Sequence, residues 1–275
     1  MTGVRAMAPR IFGIVNTTAD SFSDGGKYLS AHDGLAHAAT LLDDGADVID
    51  LGAAASNPEA EQVAPDEEID RLAPIVRALK ARNASISVDS FAPEVQRWAI
   101  AQNVDWLNDI RGFPDPALYD ELARSHVGLV VMHNVAPRGR AQRVDTNPTT
   151  IFASLFRFFD DRLAALEGAG IARSRMVIDP GMGFFLGTDP EVSLAVLRRL
   201  DELKTRYRLP LLISVSRKSF IRKLADVDVA GAGPATLAAE LFAASQGADY
   251  LRTHDVRAFK HAFAVWSALQ TGRKP

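Results

Sequence analysis

Eight short runs of β-branched and aliphatic residues recur along this chain, at positions 11–15, 48–51, 85–88, 106–107, 129–132, 176–178, 211–215 and 250–251, and this repetition limits the folds open to it. Amphipathic stretches with helical periodicity lie between and after them, at 34–44, 67–82, 94–102, 116–125, 151–167, 192–206, 237–246 and 256–270. Strand and helix alternate to the end. Such alternation implies a parallel sheet, and apolar strands without polar alternation are buried on both faces, as in a doubly wound sheet or a closed barrel. Eight evenly spread strands favour the barrel, so the expectation is an α/β fold, a single-domain TIM (β/α)8 barrel over residues 10–275, with 1–9 as a flexible leader. A chain of 275 residues, 47% of them hydrophobic, suits one such domain, which takes about 250.

Charge narrows the partners. The 31 basic and 34 acidic residues are scattered, and no basic tract is available to hold a nucleic-acid backbone or an anionic membrane. Small molecules are therefore the expected partners, without nucleic acid or membrane. The chain contains no cysteine, which removes disulfides and thiolate zinc sites and agrees with a cytoplasmic setting. The first ten residues carry no secretory h-region, and no apolar run reaches the roughly 18 residues of a membrane span.

A barrel gathers the carboxyl ends of its strands at one mouth. Here those ends read Asn16, Asp50, Asp89, Asn108-Asp109, His133, Asp179, Ser216-Arg217-Lys218 and Arg252-Thr253-His254. Each Asp or Asn taken alone is an ordinary turn former or helix cap. Together with Lys, Arg and two His they imply a pocket for something polar and partly anionic. Asp20, Phe22 and a double glycine lie in a long polar loop after the first strand, and loops at this end of a barrel commonly act as lids. Ser56, Asn57 and Pro58 follow the second strand in a segment short of bulky side chains. After Asp179, Gly181-Met182-Gly183-Phe184-Phe185 alternates glycine with large apolar residues, as a wall against a flat ring requires. Ser219 opens a helix whose free N–H groups attract anions, beside Arg217 and Lys218. Arg252 and His254 place two potential cations near Asn16, where a phosphate group fits.

With these motifs, Gly13-Ile14-Val15-Asn16, Asp20-Ser21-Phe22-Ser23-Asp24-Gly25-Gly26, Ser87-Val88-Asp89-Ser90, Leu107-Asn108-Asp109-Ile110, Met132-His133, Asp179-Pro180-Gly181, Ser216-Arg217-Lys218-Ser219 and Arg252-Thr253-His254, the chain resembles the dihydropteroate synthase family along almost its whole length. The resemblance implies condensation of 6-hydroxymethyl-7,8-dihydropterin pyrophosphate with p-aminobenzoate, releasing pyrophosphate, with Mg2+ as helper and a homodimer as the assembly. It implies pterin contacts from Asp50, Asp89, Asn108, Ile110, Met132, Asp179, Phe184, Lys218 and Arg252. For p-aminobenzoate it implies Phe22, Ser56, Pro58, Phe184, Phe185, Lys218 and Ser219. Pyrophosphate falls to Asn16, Ser56, Asn57, Arg252 and His254, the metal to Asn16, and catalysis to Asp20, Lys218, Arg252 and His254. The donor-rich edge of a pterin independently calls for buried acceptors such as Asp89, Asp179 and the Asn108 carbonyl.

Departures from the family pattern are equally specific. Ala54-Ala55-Ser56-Asn57-Pro58 stands where most members carry Glu-Ser-Thr-Arg-Pro, so an arginine is missing, and Gly183-Phe184-Phe185-Leu186 replaces Gly-Phe-Gly-Lys. The pattern resembles the sulfonamide-insensitive branch of the family, in which added bulk at Phe184-Phe185 would exclude a drug larger than a planar carboxylate. Three other readings compete. A methyltetrahydrofolate-corrinoid methyltransferase shares a pterin-binding barrel, but Ser216-Arg217-Lys218-Ser219 and the 20–26 loop speak against it. A catalytically impaired pterin-binding paralogue is separated by pyrophosphate release. A ligand-free structural barrel leaves the polar strand ends unexplained. The alanine-rich and aliphatic helices at 235–244 and 259–269 are the expected subunit contact.

Overall fold

A computed structural model of the chain describes residues 8–17, 31–54, 63–136 and 141–271. It contains eight parallel strands: β1 (Arg10–Asn16), β2 (Val48–Gly52), β3 (Ile86–Asp89), β4 (Trp106–Asp109), β5 (Gly128–Met132), β6 (Met176–Asp179), β7 (Leu212–Ile213) and β8 (Tyr250–Thr253). They follow the order β6-β5-β4-β3-β2-β1-β8-β7, and a parallel bridge between Ile178 and Leu211 brings β6 beside β7 to close the ring. The described helices are α1 (Ala31–Asp43), α2 (Pro65–Lys80), α3 (Pro93–Ala101), α4 (Tyr119–Arg124), α5 (Ile151–Gly168), α6 (Pro190–Arg198), α7 (Leu200–Tyr207), α8 (Ser219–Ala225), α9 (Gly233–Ser245) and α10 (Val256–Thr271). The barrel expected from the sequence is thus the fold. Among the described residues no helix is long and apolar enough to cross a membrane.

Local chemistry explains the helix starts. Proline at the first turn of α2 and α3 supplies a preset φ and lacks only an N–H that would be unpaired there. Asp189 caps α6 through the Glu191 N–H. The single helix expected over 192–206 is instead two, α6 and α7. Arg199 leaves helical geometry at φ −129°, and there its guanidinium lies 3.8 Å from the Phe152 ring centroid and holds Glu202. The seventh strand is also shorter than the 211–215 run, because the chain beyond Ile213 turns toward Ser216.

Two shells of apolar packing follow from the period-two geometry of strands. Ile11, Val15, Ile49, Leu51, Val88, Leu107, Leu129, Val131, Ile178, Ile213 and Leu251 face outward onto the helices. Phe12, Val48, Trp106, Val130, Val177, Leu212 and Tyr250 face inward and fill the amino end of the barrel. Phe12, Trp106 and Tyr250 meet edge to face, with centroids 5.6 to 5.8 Å apart. Gly128 makes room for this plug, since a β-carbon there would lie 2.5 Å from the Trp106 ring. Above the plug the inward positions turn polar.

Candidate active site

Strand parity carries Asp50, Ser87, Asp89 and Asn108 inward, and the register places Asp50 beside Ser87 and Asp89 beside Asn108. Met132 pairs with Asp179 at the same height, and Arg252 enters from β8. Arg252 is the hub. Its Nε lies 2.5 Å from Asp50 Oδ2 and its Nη2 lies 2.7 Å from Asp89 Oδ2, so one guanidinium neutralises parts of two carboxylates. The Arg252 side chain is 13% exposed, so these charge-assisted bonds are poorly screened, and removing either partner would leave a buried charge uncompensated.

Burial pushes the Asp89 carboxyl up to about 7 although Arg252 and Lys218 pull it down, and Asp50 adds repulsion. It also raises Asp179 to about 6, against the Gly181 N–H bond at 2.7 Å and the Lys218 charge. Lys218 is lowered to about 8, first by burial and then by Arg252, while Asp179 and Asp89 favour its charge. Against burial, Asp50 and Asp89 raise Arg252 further still. Opposite charges thus converge where each would be unstable alone.

Several acceptors there are unsatisfied. Asp50 Oδ1, Asn108 Oδ1, Ser87 Oγ and Ser214 Oγ are buried and have no hydrogen-bond partner among the described residues. Buried acceptors of this kind suit a ligand rich in N–H donors. Beside them, Ile110, Met132 and Phe185 form a small apolar cluster with Ala141, onto which Phe91 and Phe184 pack. Lys218 Nζ stands 4.6 Å from the Phe185 ring centroid. A flat polar ring has both a wall and an edge to meet here. Gly181 shapes that wall at φ +74°, where a β-carbon would lie 2.5 Å from the His133 carbonyl oxygen.

The two phenylalanines take different places. Phe185 is buried among Met132 and Ile110, whereas Phe184 is half-buried and lines an outer cleft of about 670 Å³ with Ser219, Arg143, Arg222 and Lys223. Arg143 lies 5.4 Å from the Phe184 ring centroid. Phe185 thus belongs to the apolar cluster itself, while Phe184 packs onto it and also borders the outer cleft. Among the described residues, three of this cleft's lining side chains are cationic and two, Asp226 and Asp228, are acidic.

At the other side of the mouth, Asn16 ends β1 opposite Gly52, and a β-carbon on that glycine would lie 3.5 Å from Asn16 Oδ1. His254 Nδ1 lies 2.9 Å from Ser216 Oγ. Its imidazole is pushed down to about 3 by burial and by Arg217, Arg252, Lys218 and His37. Burial and the neighbouring cations thus disfavour a charge on His254 in the empty site, where the ring meets Ser216 through a hydrogen bond. No group of three or more His, Cys, Asp or Glu side chains fit to hold a metal occurs among the described residues. Asn16 offers a single hard oxygen, which fits a Mg2+ that keeps waters and takes most other oxygens from a phosphate ligand.

Two strand-end residues stand outside this group. Asp109 has the opposite parity to Asn108 and faces α3, where it accepts from Gln96 Nε2 and from the Arg111 and Phe113 N–H groups. His133 likewise turns outward: Nδ1 lies 3.2 Å from the Pro180 carbonyl, Nε2 lies 3.4 Å from Ser154 Oγ, and Phe158 meets the ring edge on. Burial holds its imidazole down at about 4. Only one of the two expected histidines is at the mouth. Asp20, Phe22, Ser56, Asn57 and Pro58 lie outside the described residues. Ser87, Ser214, Arg143 and Arg222 were not among the site residues read from the sequence; Ser87 shares the parity of Asp89 on β3, and Ser214 that of Ser216.

Comparison with known proteins places this geometry in context. The family described as pterin binding enzyme matches residues 12–254. A dihydropteroate synthase type-3 of Escherichia coli is 53% identical over 260 residues, covering 94% of this chain and 99% of the relative. A dihydropteroate synthase of Xanthomonas albilineans, solved with 4-aminobenzoic acid, superposes with a TM-score of 0.86 at 36% identity, covering 96% of this chain and 94% of that one. The same enzyme solved with 7,8-dihydropteroate gives 0.82 at 36% identity, covering 97% and 95%.

Proposed function

Because the chain belongs to the pterin-binding enzyme family and is a dihydropteroate synthase, we propose how its own residues divide the substrates of that reaction. The reaction breaks the C–O bond between the pterin methylene and pyrophosphate and forms a C–N bond to p-aminobenzoate. The observation that carries the assignment is the Arg252 hub, flanked by the partnerless acceptors Asp50 Oδ1 and Asn108 Oδ1 and by the apolar wall of Ile110 and Met132.

The pterin lies against that wall. Asp89, Asp179 and Asn108 accept from its aminopyrimidinone edge, Asp50 orients Arg252, and Lys218 donates to its carbonyl side. Phe185 lines the wall beneath Lys218. Binding thus uses charge to fix orientation, and no general base is assigned. The arylamine is neutral near pH 7 and sheds its extra proton readily after attack. Phe184, Lys218 and Ser219 border the p-aminobenzoate position, and Arg222 and Lys223 favour its carboxylate in the outer cleft.

Pyrophosphate is received by Asn16, Arg252 and His254. Arg252 opposes the negative charge that builds on the leaving group, and the neutral His254 ring donates to it. Mg2+ bound through Asn16 would neutralise further charge on the same group when present. The missing loop arginine leaves these side chains a larger share of that task. Exposed Phe242 on α9 and Val265 and Leu269 on α10 support a homodimer through those helices, and the lack of cysteine accords with a cytoplasmic enzyme.

Sulfonamide insensitivity belongs to the same reading. A sulfonyl group with a ring substituent projects farther than a planar carboxylate, and Phe184 stands at the inner edge of the cleft into which it would project. The defining test is formation of dihydropteroate from the pterin pyrophosphate and radiolabelled p-aminobenzoate, with and without Mg2+ and sulfamethoxazole. Stoichiometric pyrophosphate release with Mg2+, undiminished by micromolar drug, is the expected result; product formation abolished by the drug would remove the insensitivity alone, and no product would remove the assignment.

A further inference from the structure

At the outer cleft, the loop between β5 and α5 meets the turn that carries Phe184, and the two segments are fastened together at several points. The Thr188 N–H donates to the Val144 carbonyl at 3.1 Å, Thr188 Oγ1 donates to Asp145 Oδ1 at 2.6 Å, and the Thr146 hydroxyl donates to the Leu186 carbonyl. Gly187 lets them close. It sits at φ +142°, and a β-carbon there would collide with Thr146 Oγ1. The turn is also held from its inner side, where the Gly183 N–H donates to Ser193 Oγ at 3.0 Å and the Phe185 carbonyl accepts from the Val135 N–H at 3.0 Å. Its backbone is therefore fixed before and after Phe184.

The Phe184 side chain is less constrained than its backbone. It packs onto the cluster of Ile110, Met132 and Phe185, yet it stays half-buried and borders the cleft. An aromatic side chain on a fixed backbone can still turn about χ1 from one staggered position to another. A ring is a barrier only while turning it aside costs more than the intruding group gains. Arg143 adds to that cost: its guanidinium carbon lies over the Phe184 ring, 5.4 Å from the centroid, within reach of the attraction between a cation and a ring face. Arg143 immediately precedes Val144 and Asp145, the residues bound to Thr188, so the same clasp that joins the two segments carries the guanidinium to the ring. Its side chain is exposed, and the contact biases the ring without locking it.

We propose that Arg143 is a positioning residue for Phe184, holding its ring at the inner edge of the cleft and so setting how strongly the enzyme prefers a planar carboxylate over a bulkier sulfonamide. The inference rests on the reading of Phe184 as the barrier to sulfonamides. A planar carboxylate passes without moving the ring, so the arginine acts on the larger ligand alone. Had Arg143 instead been an anion contact, its loss would weaken p-aminobenzoate and drug together.

The test is a double-mutant cycle in steady-state kinetics of the full chain, read as the ratio of the sulfamethoxazole inhibition constant to KM for p-aminobenzoate, with the drug titrated into the millimolar range. In Arg143→Gln the ratio should fall about threefold to fivefold, the size of effect that loss of an exposed cation–π contact allows. Arg143→Lys, which keeps a cation over the ring, should hold the ratio near its wild-type value. In the Phe184→Ala background, adding Arg143→Gln should change the ratio no further, because the ring through which the arginine acts is gone. An insensitive wild type whose ratio is unchanged or higher in Arg143→Gln would overturn the proposal alone. So would a fall of the same size with and without Phe184, or a fall in Arg143→Lys as large as in Arg143→Gln. Inhibition of the wild type by micromolar drug would instead end the reading of Phe184 as a barrier, and absence of turnover would end the functional assignment.

Discussion

Arg252 crosses from β8 to reach Asp89 on β3, with Nη2 2.7 Å from Oδ2, and thereby joins residues 163 positions apart in the chain across the mouth of the barrel. Its Nε holds Asp50 in the same plane. A lysine gathers its three donors on one nitrogen and lacks the planar fork by which Nε and Nη2 reach the two carboxylates separately. Arg252→Lys is expected to lower kcat/KM about 100-fold, or roughly 2.7 kcal/mol, because it loses both the pterin-orienting geometry and a pyrophosphate contact. A change below threefold in steady-state assays would remove Arg252 from the centre of the site.

The buried carboxyls give the unliganded enzyme a specific dependence on acidity. Asp179 is raised to about 6, above its ordinary 3.8, so the folded state holds a proton that the unfolded chain has released. Stability from this group is fully present below its unfolded value and is lost as pH rises through about 6. Asp89 and Glu240, each raised to about 7, act in the same direction. His133 and His254, held down to about 4 and about 3, act the other way below their ordinary 6.5, so the carboxyl contribution is read as a difference. The wild-type urea midpoint minus that of Asp179→Asn should rise as pH falls from 7.5 toward 5.5, and a difference that is flat or falls over that interval, with constant m, would contradict it.

On the proposed exclusion of sulfonamides, Phe184 and Phe185 are expected to have separable roles. Phe184 borders the outer cleft beside Ser219, while Phe185 supports Lys218 from within. Phe184→Ala should lower the inhibition constant for sulfamethoxazole about tenfold or more, since removing a clash of 1–3 kcal/mol has that effect. KM for p-aminobenzoate should change far less. Phe185→Ala should instead weaken pterin binding and cost about 3 kcal/mol of stability, as truncation of a buried phenyl does. Equal drug sensitivity in both variants would show that the rings do not act at separate places.

On α10, Val265 is 63% exposed and Leu269 78%, four residues apart on one face, and Phe242 on the adjoining α9 is 41% exposed. Apolar side chains this open on two packed helices fit a subunit contact. Val265→Glu with Leu269→Glu should convert a dimer into a monomer in light-scattering chromatography without loss of the far-ultraviolet helix signal. Wild-type protein that is monomeric at tens of micromolar would end the proposal.

The strands and most helices were legible because burial on both faces leaves apolar runs and burial on one face leaves a 3.6-residue period. Side-chain direction was less so. Asn108 and Asp109 are adjacent and both polar, yet a strand must send them to opposite faces, and only Asn108 reaches the axis. His133 shares the outward parity of Leu129 and Val131, a signal present in the sequence though not applied to it. Glu240 was hidden for another reason: within an alanine-rich helix it reads as a solvated surface charge until the packing of β8 against α9 is known. The break at Arg199 was equally hidden, because its stacking partner Phe152 is distant in the chain.

The Phe12, Trp106 and Tyr250 plug makes the barrel a cul-de-sac. Whatever enters the mouth must leave by it. On the assignment proposed above, with the pterin against the wall and the arylamine toward the outer cleft, the bicyclic substrate has to arrive before the arylamine covers it, and an arylamine that arrives first stands in the doorway. Traffic through a single opening therefore imposes an order on the two substrates that no individual catalytic residue dictates.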